Sequence, residues 1–77
     1  MMSEYIEMAM EKATFERLED GTWYAEIPGF RGVWADGNTE SEAREELREV
    51  LQDWIEFRAS RDLEIPKVGS IDVKQLV

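Results

Sequence analysis

A long amphipathic pattern after Thr39 sets the tightest limit on the fold. Apolar side chains recur at helical spacing from Ala43 to Ile55, and the pattern continues to about residue 59, which predicts one helix with a single apolar stripe. Thr39 followed three residues later by Glu42 is a capping-box signature, so we expect the helix to begin at Glu40. A rod of about 30 Å needs a broad apolar surface to cover its stripe. We expect that surface to be a β-sheet.

The residues before Thr39 carry the pattern of an antiparallel meander. Two β-prone runs, 13–18 and 22–27, flank Asp20-Gly21, and an Asp-Gly dipeptide in that position is a hairpin signal. Pro28-Gly29 ends the second run, since proline donates no hydrogen bond to a strand ladder. Residues 32–36 form a third run. We expect three consecutive antiparallel strands.

The two ends of the chain predict further elements. Tyr5 opens an apolar pattern of helical spacing that reaches Ala13, and Ser3 is a plausible cap, so a short helix should come first. Residues 71–73 suit a short fourth strand. A right-handed crossover would place it beside the first strand and parallel to it, in the sheet order 3-2-1-4. The sequence thus predicts one α+β domain over residues 1–77: a three-stranded antiparallel meander, a long helix packed on the sheet, a fourth strand and an extra N-terminal helix.

Composition excludes several function classes. The 77 residues include no cysteine and no histidine, which removes disulfides, thiolate and imidazole chemistry and the usual zinc sites. The formal net charge of −9 disfavours direct binding to nucleic acid. No apolar run approaches the roughly 20 residues that span a bilayer, and the first twelve residues do not look like a secretory signal. We therefore expect a cytoplasmic protein without a cofactor.

Alternation in the second and third runs divides the sheet into two faces. Trp23 shares one face with Ala25 and Ile27, and the helix stripe includes Trp54, so we expect both tryptophans in the core. The other face carries the residues that we predict to bind a partner, which are Tyr24, Glu26, Phe30, Trp34 and Asp36. One interpretation is that a second copy or another protein covers this face. The alternative is that the first helix folds over it.

The stretch D-G-T-W-Y-A-E-I-P-G-F-R-G-V-W-A-D-G-N-T-E-S-E-A, residues 20–43, resembles the HicB-like antitoxin family. The recurring family pattern is Y-A-x-I-P-x-x-x-G-x-x-A-x-G-x-T-x-x-E-A, followed by an amphipathic helix. The residues that fall in register with this pattern and its helix are Tyr24, Ala25, Ile27, Pro28, Gly32, Ala35, Gly37, Thr39, Glu42, Ala43 and Leu47.

The resemblance implies a partial RNase-H-like fold and a role as an antitoxin. In that family the domain caps a small basic RNA-cleaving toxin of the HicA type, which suits an acidic chain. Typical members continue into a DNA-binding domain, and we expect none within residues 1–77. A stand-alone domain of this kind is also compatible with a homo-oligomer that has a regulatory or structural role and no toxin.

The RNase-H-like fold raises the question of a metal-dependent nuclease, which needs converging carboxylates. Glu16, Glu26 and Asp36 fall on the expected strands, but Glu16 and Asp36 lie near opposite ends of their elements. A solvated acidic face is the favoured interpretation. We expect no metal site and no catalytic residue.

Overall fold

The computed structural model describes residues 2–66. In chain order these form α1 (Met2–Glu11), β1 (Thr14–Arg17), β2 (Trp23–Glu26), β3 (Trp34–Gly37) and α2 (Glu40–Ser60). The expected fourth strand at 71–73 lies outside the described residues. Helix α1 already includes Ser3, so the prediction that Ser3 caps this helix is wrong. No helix in the described part is long and apolar enough to span a bilayer.

The described strands form an antiparallel sheet in the order β1-β2-β3. Phe15 pairs with Ala25, and Ala25 pairs in turn with Ala35, which sets the register across all three strands. The hairpin between β1 and β2 is closed by the amide of Leu18, which donates to the carbonyl of Thr22 over 2.8 Å. The predicted three-stranded meander is therefore confirmed, with each strand shorter than its β-prone run.

Side-chain and backbone caps fix both ends of α2. The Thr39 hydroxyl accepts a hydrogen bond from the amide of Glu42 over 3.1 Å. The Glu42 carboxylate reaches back to the amide of Asn38 over 3.0 Å, one residue earlier than in the standard capping box. At the other end Asp62 takes a left-handed φ of 54°, and the amide of Leu63 donates to the carbonyl of Arg58. The predicted start at Glu40 is confirmed.

The core lies between one face of the sheet and the helices. Helix α2 buries Ala43, Leu47, Leu51 and Ile55, the stripe that the sequence predicts. From the sheet, Ala25 and Ala35 are buried against it. The remaining buried residues are Tyr5, Ile6, Ala9 and Met10 of α1, with Ile27, Phe30 and Val33 around the connection between β2 and β3.

Helix α1 packs beside α2, where it extends the same core. Tyr5 meets the ring of Phe30 edge-on, with 6.5 Å between the centroids, and its hydroxyl donates to the carbonyl of Pro66. An ion pair between Glu7 and Arg48 joins the two helices. The alternative prediction, that α1 folds over the far side of the sheet, is therefore wrong. The apolar side chains of α1 are buried in the same core as the apolar stripe of α2.

Candidate protein-binding site

The face of the sheet that turns away from the helices is the candidate site, and we call it the outer face. Because Ala25 and Ala35 point into the core, their strand neighbours point outward. The side chains on the outer face are those of Thr14, Glu16, Tyr24, Glu26, Trp34 and Asp36. Three of these are carboxylates and none is basic, so the outer face is acidic.

Two aromatic rings lie in the middle of these carboxylates. Tyr24 and Trp34 are diagonal neighbours on β2 and β3, and their rings stack at 6.1 Å between centroids with 24° between the planes. Trp34 keeps 53% of its surface exposed, whereas Tyr24 is half-buried. Large aromatic side chains in such positions dominate many protein interfaces because they supply apolar area at low entropic cost.

The register places a carboxylate on each side of the aromatic pair. Glu16 and Asp36 are the cross-strand partners of Tyr24, and Glu26 is the partner of Trp34. The Tyr24 hydroxyl donates to the Glu26 carboxylate over 3.2 Å. Partial burial, followed by the negative charge of Glu26, raises the pKa of the Tyr24 phenol above its ordinary value. The outer face therefore favours neutral or positively charged groups.

The acidic side chains of the outer face do not assemble into a metal centre. Within residues 2–66, no group of three or more aspartates, glutamates, histidines or cysteines is placed to hold a metal ion. The register places Glu16 and Asp36 level with each other, both opposite Tyr24, so the expectation that they lie near opposite ends of their strands is wrong. Strand β2 lies between them, and Glu26 stands two residues further along it. Spread in this way, they give the surface a negative charge.

The structure separates the predicted site residues into two groups. Tyr24, Glu26, Trp34 and Asp36 share the outer face as predicted, but Phe30 does not join them. Only 6% of Phe30 is exposed, and its ring lies 5.4 Å from that of Trp54. The prediction that Phe30 contributes to the exposed aromatic surface is wrong, because the turn after β2 carries its side chain inward.

Trp23 and Trp54 face the core as predicted but lie at its margin and not within it. Both are half-buried and pack against the core. Trp54 is also covered by Arg58, whose guanidinium lies 4.8 Å from the ring centroid. Of the three tryptophans, Trp34 is the one that no helix in the described part covers.

Comparison with protein families matches most of the described chain to one family. Residues 4–66 match the UPF0150-like family, a range that contains the three described strands, all of α2 and α1 from Glu4 onward. The chain belongs to the UPF0150-like family.

One solved structure shows how closely the fold of this UPF0150-like chain is shared. The chain is similar to the protein TTHA0281 of Thermus thermophilus, known from its crystal structure, with 37% sequence identity and a TM-score of 0.85. The match covers 91% of this chain and 88% of TTHA0281. No curated protein matches the sequence.

Sequence reasoning missed a second exposed aromatic residue on this UPF0150-like chain. Phe57, near the end of α2, is also 53% exposed. The Arg61 guanidinium lies 4.9 Å from the centre of its ring. The spacing of four residues on a helix could have indicated this contact. Phe57 thus lies under a guanidinium, whereas none of the three cation–π contacts within residues 2–66 involves Trp34.

Proposed function

We propose that this chain is a non-catalytic protein-binding domain of the HicB-like type, which neutralises a small basic RNA-cleaving partner of the HicA type by covering it. The observation that carries the proposal is the outer face: an acidic surface with a stacked Tyr24–Trp34 pair that neither helix covers. Members of the UPF0150-like family are often related to toxin–antitoxin systems, which supports the same function.

Charge and apolar area play different roles in this proposal. The net charge of −9, with three carboxylates on the outer face, attracts a basic partner and speeds its encounter. The exposed part of Trp34 then supplies apolar area that the partner can bury. A surface of this kind needs no reacting group, because inhibition follows from blocking access of RNA to the partner.

The test is co-expression with each small basic protein encoded beside this chain, followed by purification and an RNA-cleavage assay. We expect a stable complex in which RNA cleavage is suppressed and growth arrest is relieved. The matched variants are Trp34→Ala on the outer face and Phe57→Ala on α2, which remove equally exposed aromatic side chains. The function is refuted if no small basic protein encoded beside this chain binds to it. It is also refuted if the bound protein still cleaves RNA at the rate that it shows alone.

A homo-oligomer without a toxin is the second candidate, and one observation favours it. In the described sheet β3 pairs with β2 alone, so its other edge presents unpaired backbone groups next to the exposed Trp34. Two copies could join through these edges. Light scattering over a range of concentrations tests this candidate: a monomer at every concentration would remove it and would leave the surface to another protein.

A further inference from the structure

Arginine side chains of this chain repeatedly lie over its own aromatic rings. Three guanidinium groups in the described part lie within 5 Å of a ring centroid. The pairs are Arg44 over Phe15 at 4.7 Å, Arg58 over Trp54 at 4.8 Å and Arg61 over Phe57 at 4.9 Å. The rings of the outer face are the contrast: none of these three guanidinium groups lies over Tyr24 or Trp34.

The outer face has a better setting for a guanidinium than any of those three rings. Indole attracts cations more strongly than the ring of phenylalanine does, and Trp34 stands among carboxylates, whereas Trp54 already lies under the Arg58 guanidinium. Glu26 stands directly across from Trp34, and Asp36 follows two residues along the same strand, on the same face. A flat cation lying on the indole would therefore have carboxylate acceptors beside the ring.

We propose that the outer face binds an arginine side chain of the basic partner, with the guanidinium stacked on Trp34 and its N–H groups donating to Glu26 and Asp36. The partner's identity as a protein rests on the proposed function. Arginine fits better than lysine because a guanidinium is planar, presents its donors in a fork and is more weakly hydrated than an ammonium. Glu26 can accept these bonds in addition to the one from Tyr24, since a carboxylate has about four acceptor sites.

Charge argues against a second copy of the chain as the occupant. Each copy carries a net charge of −9, and two outer faces would bring their carboxylates together.

Arg31 is a basic residue of the chain itself that lines the same open depression as Tyr24, Glu26 and Trp34. Its guanidinium is not among those that stack on a ring in the described part.

The test is an NMR titration of the full chain with two capped heptapeptides of equal charge, one alternating glycine with arginine and the other glycine with lysine. The indole N–H resonance of Trp34 reports binding and is assigned by its loss in Trp34→Leu. We expect saturable shifts of this resonance, with the arginine peptide bound about threefold more tightly than the lysine peptide. Equal affinities would overturn the proposal, because they would show attraction by charge alone.

Three variants separate stacking on Trp34 from non-specific binding of the peptides, and backbone amide chemical shifts are the readout that all three share. Trp34→Leu should abolish the preference for arginine, and Phe57→Leu should retain it, because Phe57 is as exposed as Trp34 but already lies under Arg61. Glu26→Gln should reduce the preference while keeping the shape of the side chain. A preference that survives Trp34→Leu would contradict the proposal, as would a Trp34 resonance that responds to the protein's own concentration and not to the peptides.

The titration also separates this inference from the proposed function. If no basic neighbour binds but the peptides show the Trp34-dependent preference, the arginine site stands and the antitoxin function fails. If a neighbour binds and Trp34→Leu leaves its affinity unchanged, the antitoxin function stands and the arginine site on the outer face is wrong.

Discussion

Replacing Gly37 tests the junction that carries the chain from the outer face into α2. A Cβ atom built at Gly37 would lie 2.6 Å from the amide nitrogen of Ala43 and 2.9 Å from the Cβ of Glu42. The closest of these atoms belongs to the backbone, so a side-chain rotation cannot relieve the contact. Gly37→Ala must therefore push the end of β3 away from the first turn of α2.

The size of the effect follows from two opposing contributions. Overpacking of this kind costs about 1–3 kcal/mol. Restricting the unfolded chain by a Gly→Ala change returns about 0.4–1 kcal/mol. We therefore expect Gly37→Ala to lower the free energy of unfolding by about 1–2 kcal/mol, which for a domain of this size lowers Tm by roughly 5–15 °C. Thermal melting followed by circular dichroism measures it.

Gly29 provides the matched comparison, because it requires glycine for a different reason. Its φ is +89° and nothing lies within 4 Å of the added Cβ, so only backbone strain opposes a side chain there. Asparagine tolerates positive φ better than alanine does. At Gly29 we expect asparagine to lower the free energy of unfolding less than alanine does. At Gly37 we expect asparagine to lower it at least as much as alanine does. The reasoning is refuted if Gly37→Ala melts at the wild-type temperature, or if Asn is the better substitute at Gly37.

Three further predictions concern the cap, the core and the outer face. Thr39→Ala should lower the free energy of unfolding by about 1 kcal/mol, because it removes the hydroxyl that accepts from the Glu42 amide. Urea denaturation measures this loss, and an unchanged free energy of unfolding would show that the bond is unimportant. Leu51→Ala should cost about 2–5 kcal/mol in the same assay because Leu51 is fully buried, and a smaller loss would contradict its place in the core. Glu26→Gln should bring the pKa of Tyr24 closer to its ordinary value by removing the nearby charge, as followed by ring resonances in a pH titration, while partial burial keeps part of the rise. Because folding raises this pKa, the contribution of Tyr24 to stability is present below the unfolded-state pKa and is lost as pH rises through the folded-state pKa, so the variant should lose less stability at alkaline pH.

Local signals account for the parts of the fold that the sequence predicts well. The Thr39 and Glu42 side chains bond to amides within a few residues, so the start of α2 can be read without any tertiary information. The alternation in β2 likewise indicates which side chains leave the core, and it places Tyr24 and Glu26 on the outer face. Short-range rules of spacing are enough for these features.

The errors over Phe30 and α1 both concern long-range packing. Phe30 lies in a turn, where no periodicity tells which way a side chain points, and its burial depends on Tyr5 and Trp54 from the two helices. The position of α1 depends on whether the core beside α2 still has room, which its own apolar pattern cannot reveal. The pattern predicts that α1 must bury a face, but two surfaces could have received it.

The central claim is that a basic protein docks on the outer face, and hydrogen exchange of the complex tests it most directly. The exchange rate of each backbone amide should be compared between the free chain and its purified complex with the small basic protein encoded beside it. The account predicts added protection in β2 and β3, around Tyr24 and Trp34, with little change along the solvent-facing side of α2. Protection confined to α2, with the strands exchanging as in the free chain, would contradict it.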